Sequence, residues 1–266
     1  MKYTQKIFLR IFLFIILTIL TQIGGIAYLL SLWINKKWKV IFMFKPILVF
    51  VMIYLVFTFI MTPLLAPYFG REKVKNSKII NPANYMTILL NRNYVCPEMN
   101  NLLTHVAEDL NGTDVTINYL DANFPFINKF PLLPHLSHND GKKIDLSLIY
   151  ETQKGTITSK QKTRSGYGAF ESPNLNEYNQ IRKCLKDGYF QYDYPKYLTL
   201  GKINTDLVFS ERGTKTLIES ILKQANLGKL FIEPHLRQRL NLNNPKVRYH
   251  GCRAVRHDDH IHIQLK

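Results

Sequence analysis

Two uncharged stretches dominate the N-terminal quarter of the chain. Positions 11–34 and 46–69 each run 24 residues without an Asp, Glu, Lys or Arg. A helix rising about 1.5 Å per residue needs about 20 apolar residues to cross a hydrocarbon core. The pattern therefore predicts two transmembrane helices within residues 1–70, joined as a hairpin by a basic loop. The lengths argue against buried helices of a soluble protein. A cleaved signal peptide does not fit either, because the first run is too long for an h-region and no A-x-A-like site follows before Lys36.

Beyond position 70 the pattern changes. Polar residues crowd 71–95, which reads as a linker, and a folded domain is expected over 96–266. Leu102, Leu103, Val106 and Leu110 recur at helical spacing ahead of Gly112 and predict a helix over 97–110. Leu217, Ile218 and Ile221 predict another over 214–225, stopped at Gly228. Alternation predicts strands at 115–119 and 261–265, with a short one at 230–232. Positions 151–180 are rich in Thr, Ser, Lys, Gly and Asn without an apolar period, and read as a polar insertion, either a lid or a mobile loop. Helices and strands do not alternate regularly, so the expected class is α+β. The expected architecture is a small antiparallel sheet with flanking helices behind a two-helix membrane hairpin.

The charge distribution bears on partners. The chain has 266 residues with 35 Lys and Arg against 19 Asp and Glu, a formal charge of +16. Residues 1–80 hold 11 basic side chains and one acid, Glu72, whereas residues 81–266 hold 24 and 18. The excess flanks the apolar runs, and the folded part lacks a dense basic and aromatic patch. Nucleic acid is therefore not the expected partner; a lipid bilayer is. Orientation stays open on charge alone. Lys36, Lys37, Lys39 and Lys45 favour a cytoplasmic loop, but Lys2, Lys6 and Arg10 precede the first run and Arg71, Lys73, Lys75 and Lys78 follow the second. Two spans would return the chain to its starting side. The three cysteines, Cys96, Cys184 and Cys252, allow at most one disulfide and form no C-x-x-C motif.

The candidate chemistry lies in two histidine-rich stretches. His135 and His138 precede Gly141 and Asp145, and His257-Asp258-Asp259-His260-Ile261-His262 lies near the end of the chain. Strand periodicity places His260 and His262 on one face, with Ile261 and Ile263 turned to the core. Two imidazoles so spaced can approach one metal, and His138 with Asp145 could complete the set if Gly141 lets the backbone turn sharply. Zinc takes His nitrogen and carboxylate oxygen. No H-E-x-x-H helix is present, which excludes the usual zincin arrangement. His105 and His235 read as ordinary surface or helix-start histidines. His250, Asp258 and Asp259 are candidates to support the site, and Arg248, Arg253 and Arg256 to meet substrate carboxylates. Tyr167 and Phe170 either contact substrate or pin the insertion.

An H-x6-D stretch followed by H-x-H resembles the metallopeptidases grouped with lysostaphin, D-Ala-D-Ala carboxypeptidases and hedgehog domains. Within that group, His135, Ser137, His138, Gly141 and Asp145, with the closing run from His257 to Ile263, are similar to the penicillin-insensitive murein endopeptidases. Lys229-Leu230-Phe231-Ile232 and Lys246-Val247-Arg248 also look like segments of that family, so the resemblance covers roughly 115–266. It implies a Zn²⁺ ion held by His138, Asp145 and His262. His260 is then base or transition-state stabiliser, and His135 and His257 are further catalytic-site residues. The implied activity is hydrolysis of peptide bonds in peptidoglycan by a membrane-anchored enzyme. The domain would lie on the outer side of a bacterial cytoplasmic membrane crossed more than once. Carboxypeptidase action on stem peptides and a non-catalytic zinc-binding module are the alternatives. The chain departs from typical members in its apolar runs, its three cysteines and the insertion after Asp145.

Overall fold

The computed structural model describes residues 3–37 and 46–266; Lys2, Lys39 and Lys45, counted above among the flanking charges, lie outside the described residues. Among the described residues two helices are long and apolar enough to cross a membrane: α1, Tyr3–Thr21, and α3, Pro46–Phe69. The first apolar run is not one helix. It breaks at Gln22, whose φ of 65° is left-handed, and resumes as α2, Gly24–Lys37. The break is encoded locally. Thr21 Oγ1 accepts the Gly24 N–H at 2.8 Å, and a Cβ on Gly25 would lie 2.0 Å from Thr18 Oγ1 and 2.9 Å from the Phe14 ring. Only glycine lets α2 fold back this closely on α1. In α3, Pro63 cannot donate a backbone hydrogen bond, and a π-turn at Phe57–Met61 lies just ahead of it.

A six-stranded sheet forms the centre of the remaining chain. Its strands are β1 (Ile80–Pro82), β2 (Ile117–Tyr119), β3 (Lys143–Ser147), β4 (Leu227–Phe231), β5 (Val247–Arg248) and β6 (His260–Leu265), ordered β5-β4-β6-β3-β2-β1. The four inner strands pair antiparallel, but β5 joins β4 and β1 joins β2 in parallel. The sheet is therefore mixed, where an antiparallel one was expected. The edge strands reach their partners through long connections that strand periodicity does not reveal.

One face of the sheet is apolar. Ile144, Leu146, Leu230, Ile261 and Ile263 bury there against Met99, Leu103 and Val106 of helix α4 (Pro97–Asp109). Leu217, Ile218 and Ile221 of α6 (Glu211–Leu222) complete the same core. Helix α6 starts three residues earlier than its apolar period suggests, because Ser210 Oγ caps it by accepting the Gly213 N–H. Two shorter helices, α5 (Gln180–Lys186) and α7 (Pro234–Arg239), lie between these elements in the chain. Segment 71–95 is not a linker. It supplies β1, pairs Glu72–Lys73 with Tyr94–Val95, and buries Arg71, Val74 and Ile80.

Candidate metal centre

The opposite face of the sheet is polar and buried. Antiparallel register sets His262 directly across from Asp145, and His260 across from Ser147. The alternation read from the sequence holds, since Ile261 and Ile263 are wholly buried in the core while His260 and His262 point the other way. His138 arrives on the loop between β2 and β3. Its Nδ1 lies 2.7 Å from the Ala122 carbonyl, which accepts its proton and leaves Nε2 free as a ligand atom. Gly141 turns the loop at φ 82°, and its N–H donates to Asn123 Oδ1 at 3.0 Å. The sharp turn assigned to Gly141 is therefore present.

Three ligand atoms converge here. His138 Nε2 lies 3.1 Å from His262 Nδ1 and 3.2 Å from Asp145 Oδ1, and those last two are 2.8 Å apart. Bonds of about 2.0–2.2 Å to a tetrahedral metal place neighbouring ligand atoms about 3.3 Å apart, so the triangle is of metal-binding size. His135, His138 and Asp145 form an overlapping buried group that could hold a metal ion. His135 is buried, and its Nε2 has no hydrogen-bond partner. Its Nδ1 lies 3.1 Å from Asp145 Oδ2 and 3.4 Å from Asp121 Oδ2. Burial opposes charge on His135, yet the two carboxylates push its pKa up to about 10.

The remaining imidazoles divide by environment. Burial draws His262 down to about 4 and His257 well below the usual histidine range, so both are neutral, the form in which nitrogen coordinates or accepts. His260 is also buried, but Asp259 Oδ1 at 2.5 Å from Nδ1, together with Asp145, raises its pKa above the ordinary value. His260 Nε2 is 3.8 Å from Asp145 Oδ2, beside the ligand triangle without belonging to it. His257 stands next to it, ring centroids 4.8 Å apart, and its backbone N–H is fixed by Glu233 Oε1. His250 is brought in as well, 5.3 Å from the His257 ring. His105 is exposed on α4. His235 opens α7 as expected but is fully buried, donating from Nε2 to the Glu171 carbonyl.

The insertion packs into the domain through hydrogen bonds to the site. Tyr167 is buried, accepts the Asp121 N–H and donates its hydroxyl to Asp145 Oδ2 at 2.9 Å. Gly168 N–H donates to Asp259 Oδ2 at 2.6 Å, and Glu171 N–H to the Asp258 carbonyl. The segment thus orients Asp145 and Asp259, two of the three carboxylates that address the imidazoles. Arg256 is committed to Asp258 and Asp193, with Phe170 stacked beneath its guanidinium, and is a framework residue. Arg248 is exposed on β5, and Arg253 stands on the rim of the histidine cleft.

Sequence reasoning did not assign Asp121, which also pairs with Arg92 at 3.1 Å. No spacing marked it, because it lies just past a three-residue strand. A disulfide joins Cys184 to Cys252 and leaves Cys96 as a buried thiol. This bond ties α5 to the 249–256 wall that carries His250 and Arg253. The cleft over the histidines holds about 340 Å³. A second, of about 190 Å³, meets it at Pro134, His135 and Leu198. No family model matches this chain, and no curated protein matches it.

Proposed function

We propose that the chain is a membrane-anchored, zinc-dependent peptidase acting on the peptides of peptidoglycan, with residues 70–266 as its catalytic domain. The observation that carries this reading is the triangle of His138 Nε2, Asp145 Oδ1 and His262 Nδ1 beside a separate, carboxylate-held imidazole, His260. Nitrogen and carboxylate donors of this kind suit zinc. Zinc, when bound, supplies a Lewis acid that activates water and polarises a scissile carbonyl.

The chain's own residues supply the rest. His260, kept protonatable by Asp259, donates to or stabilises the developing charge at the scissile group from the side of the cleft. His257 stays neutral beside it and can hold a hydrogen bond without taking up a proton. Tyr167 and the Ala122 carbonyl hold Asp145 and His138 in register. The two adjoining clefts meet at His135 and leave room for substrate beyond the histidine cleft, which supports an endopeptidase over a carboxypeptidase.

The test uses the full chain in detergent micelles, loaded with zinc and incubated with purified cross-linked muropeptides. Mass spectrometry should show chelator-sensitive conversion of dimers to monomers. Loss of a terminal residue alone would make it a carboxypeptidase. A folded, zinc-loaded protein without turnover would refute the peptidase reading.

A further inference from the structure

The three apolar helices have a path that charge counting does not reveal. α1 runs toward the domain and is tied there, since Gln22 Oε1 accepts the Phe126 N–H at 2.8 Å. α2 turns straight back from this point. It runs antiparallel to α3, because Thr21, just before α2, lies beside the Tyr54 phenol, while Tyr28, further along α2, meets Phe50 with ring centroids 6.2 Å apart. α3 then returns to the domain, where Tyr54 donates to the Leu89 carbonyl and Asn91 donates to Thr58 Oγ1. The start of α1, the end of α2 and the start of α3 thus share the end far from the domain.

We propose that α1, α2 and α3 cross a lipid bilayer three times, with Lys6, Arg10, Lys36 and Lys37 at the cytoplasmic face and residues 70–266 outside. In a two-span hairpin the N-terminus and the domain share a compartment; here they lie on opposite sides. The outer surface of the bundle fits acyl chains: Phe8, Phe12, Leu29, Met52, Phe59 and Leu64 are all exposed. Large apolar faces of this extent mark a membrane or partner surface. Both ends carry interfacial signatures. Lys37 Nζ lies 5.0 Å over the Trp33 ring at the far end, and Tyr68 and Tyr85 are exposed at the domain end.

Lys6, Arg10, Lys36 and Lys37 gather at the far end, as the positive-inside rule requires of a cytoplasmic face, while Arg71, Lys73, Lys75 and Lys78 follow α3 at the other, so the choice of side rests on the disulfide. The Cys184–Cys252 disulfide independently places the domain in an oxidising compartment. The 24 residues of α3 reach about 36 Å, but α3 meets the domain from Tyr54 on, so the exposed rim of Tyr85, Met86 and Ile127 enters the bilayer with it. The 14 residues of α2 reach only about 21 Å, a mismatch that the lysines at its end relieve by snorkelling while the bilayer thins locally. None of this depends on the reaction catalysed.

The experiment places a cysteine at either end of the full chain, as Thr4→Cys or Asp114→Cys, both exposed positions. Spheroplasts of expressing bacteria are treated with a membrane-impermeant maleimide. The unsubstituted chain gives the background, its one free thiol being buried. Asp114→Cys should label in intact spheroplasts and Thr4→Cys only after permeabilisation. Labelling of both, of neither, or of Thr4→Cys alone in intact spheroplasts overturns the proposal.

Discussion

His262 and Asp145 face one another across the pair of antiparallel strands β3 and β6, with Nδ1 and Oδ1 2.8 Å apart. This cross-strand pair is common to the ligand triangle and to the chemistry built around it. Two buried triads share His138 and Asp145 and differ in the third member, His262 or His135. His262→Ala and Asp145→Asn should each lower zinc affinity by more than the 10–100-fold typical of losing a supporting hydrogen bond. His135→Ala should retain the ion. Isothermal titration with zinc decides between the triads, and loss of binding in His135→Ala with retention in His262→Ala would reverse the assignment.

Tyr167 is expected to act through Asp145. Tyr167→Phe removes only the hydroxyl that donates to Oδ2, so zinc affinity should fall about 10–100-fold while the fold persists. Competition with a chromogenic chelator measures this directly, and an unchanged affinity would remove Tyr167 from the metal's support.

His260 should separate binding from turnover. His260→Ala is expected to keep stoichiometric zinc and lose about 10²–10⁴ in kcat on muropeptides. Wild-type turnover in a zinc-loaded His260→Ala protein would eliminate its role in proton transfer or charge stabilisation.

Gly141 has both a positive φ, 82°, and no room for a side chain, since a Cβ there would lie 2.2 Å from the Arg71 guanidinium. Gly141→Ala should destabilise the domain by about 1–3 kcal/mol through backbone strain, with displacement of Arg71 in addition. Denaturant unfolding checks the figure; a midpoint equal to wild type would show that the loop can relax.

Glu177 gives the acid limb of stability a testable component. Arg239 donates to both its oxygens and draws its pKa from 4.5 to about 2. A folded value below the unfolded one means that the pair's contribution is complete above pH 4.5 and is lost as pH falls toward 2. Glu177→Gln should therefore lower Tm at neutral pH and flatten the Tm profile across that window. An unchanged profile would show that the pair contributes nothing.

The legible parts of this fold are those written in short-range periodicity. Alternation at Ile261, Ile263 and Leu265 located β6 and aimed His260 and His262 correctly, and helix α4 matched its apolar spacing almost residue for residue. The partners of those histidines were less accessible. Asp145 meets His262 across 117 residues and Tyr167 meets Asp145 across 22, contacts that no local pattern encodes. Segment 71–95 read as a linker because its strands have two or three residues, too few to display a period. The break in the first apolar run did have a local signal, a polar and glycine-bearing Thr21-Gln22-Ile23-Gly24-Gly25, which the hydropathy of its flanks overwhelmed.

The Cys184–Cys252 bond fastens one wall of the cleft to a helix 68 residues earlier in the chain. All six histidines of the cleft are present as soon as the chain is synthesised, but that wall is pinned only after oxidation. A chain with Cys184 and Cys252 reduced therefore carries its ligand set beside a wall that no covalent bond holds. The cysteine pair thereby makes the completeness of the histidine cleft depend on the redox state around the chain.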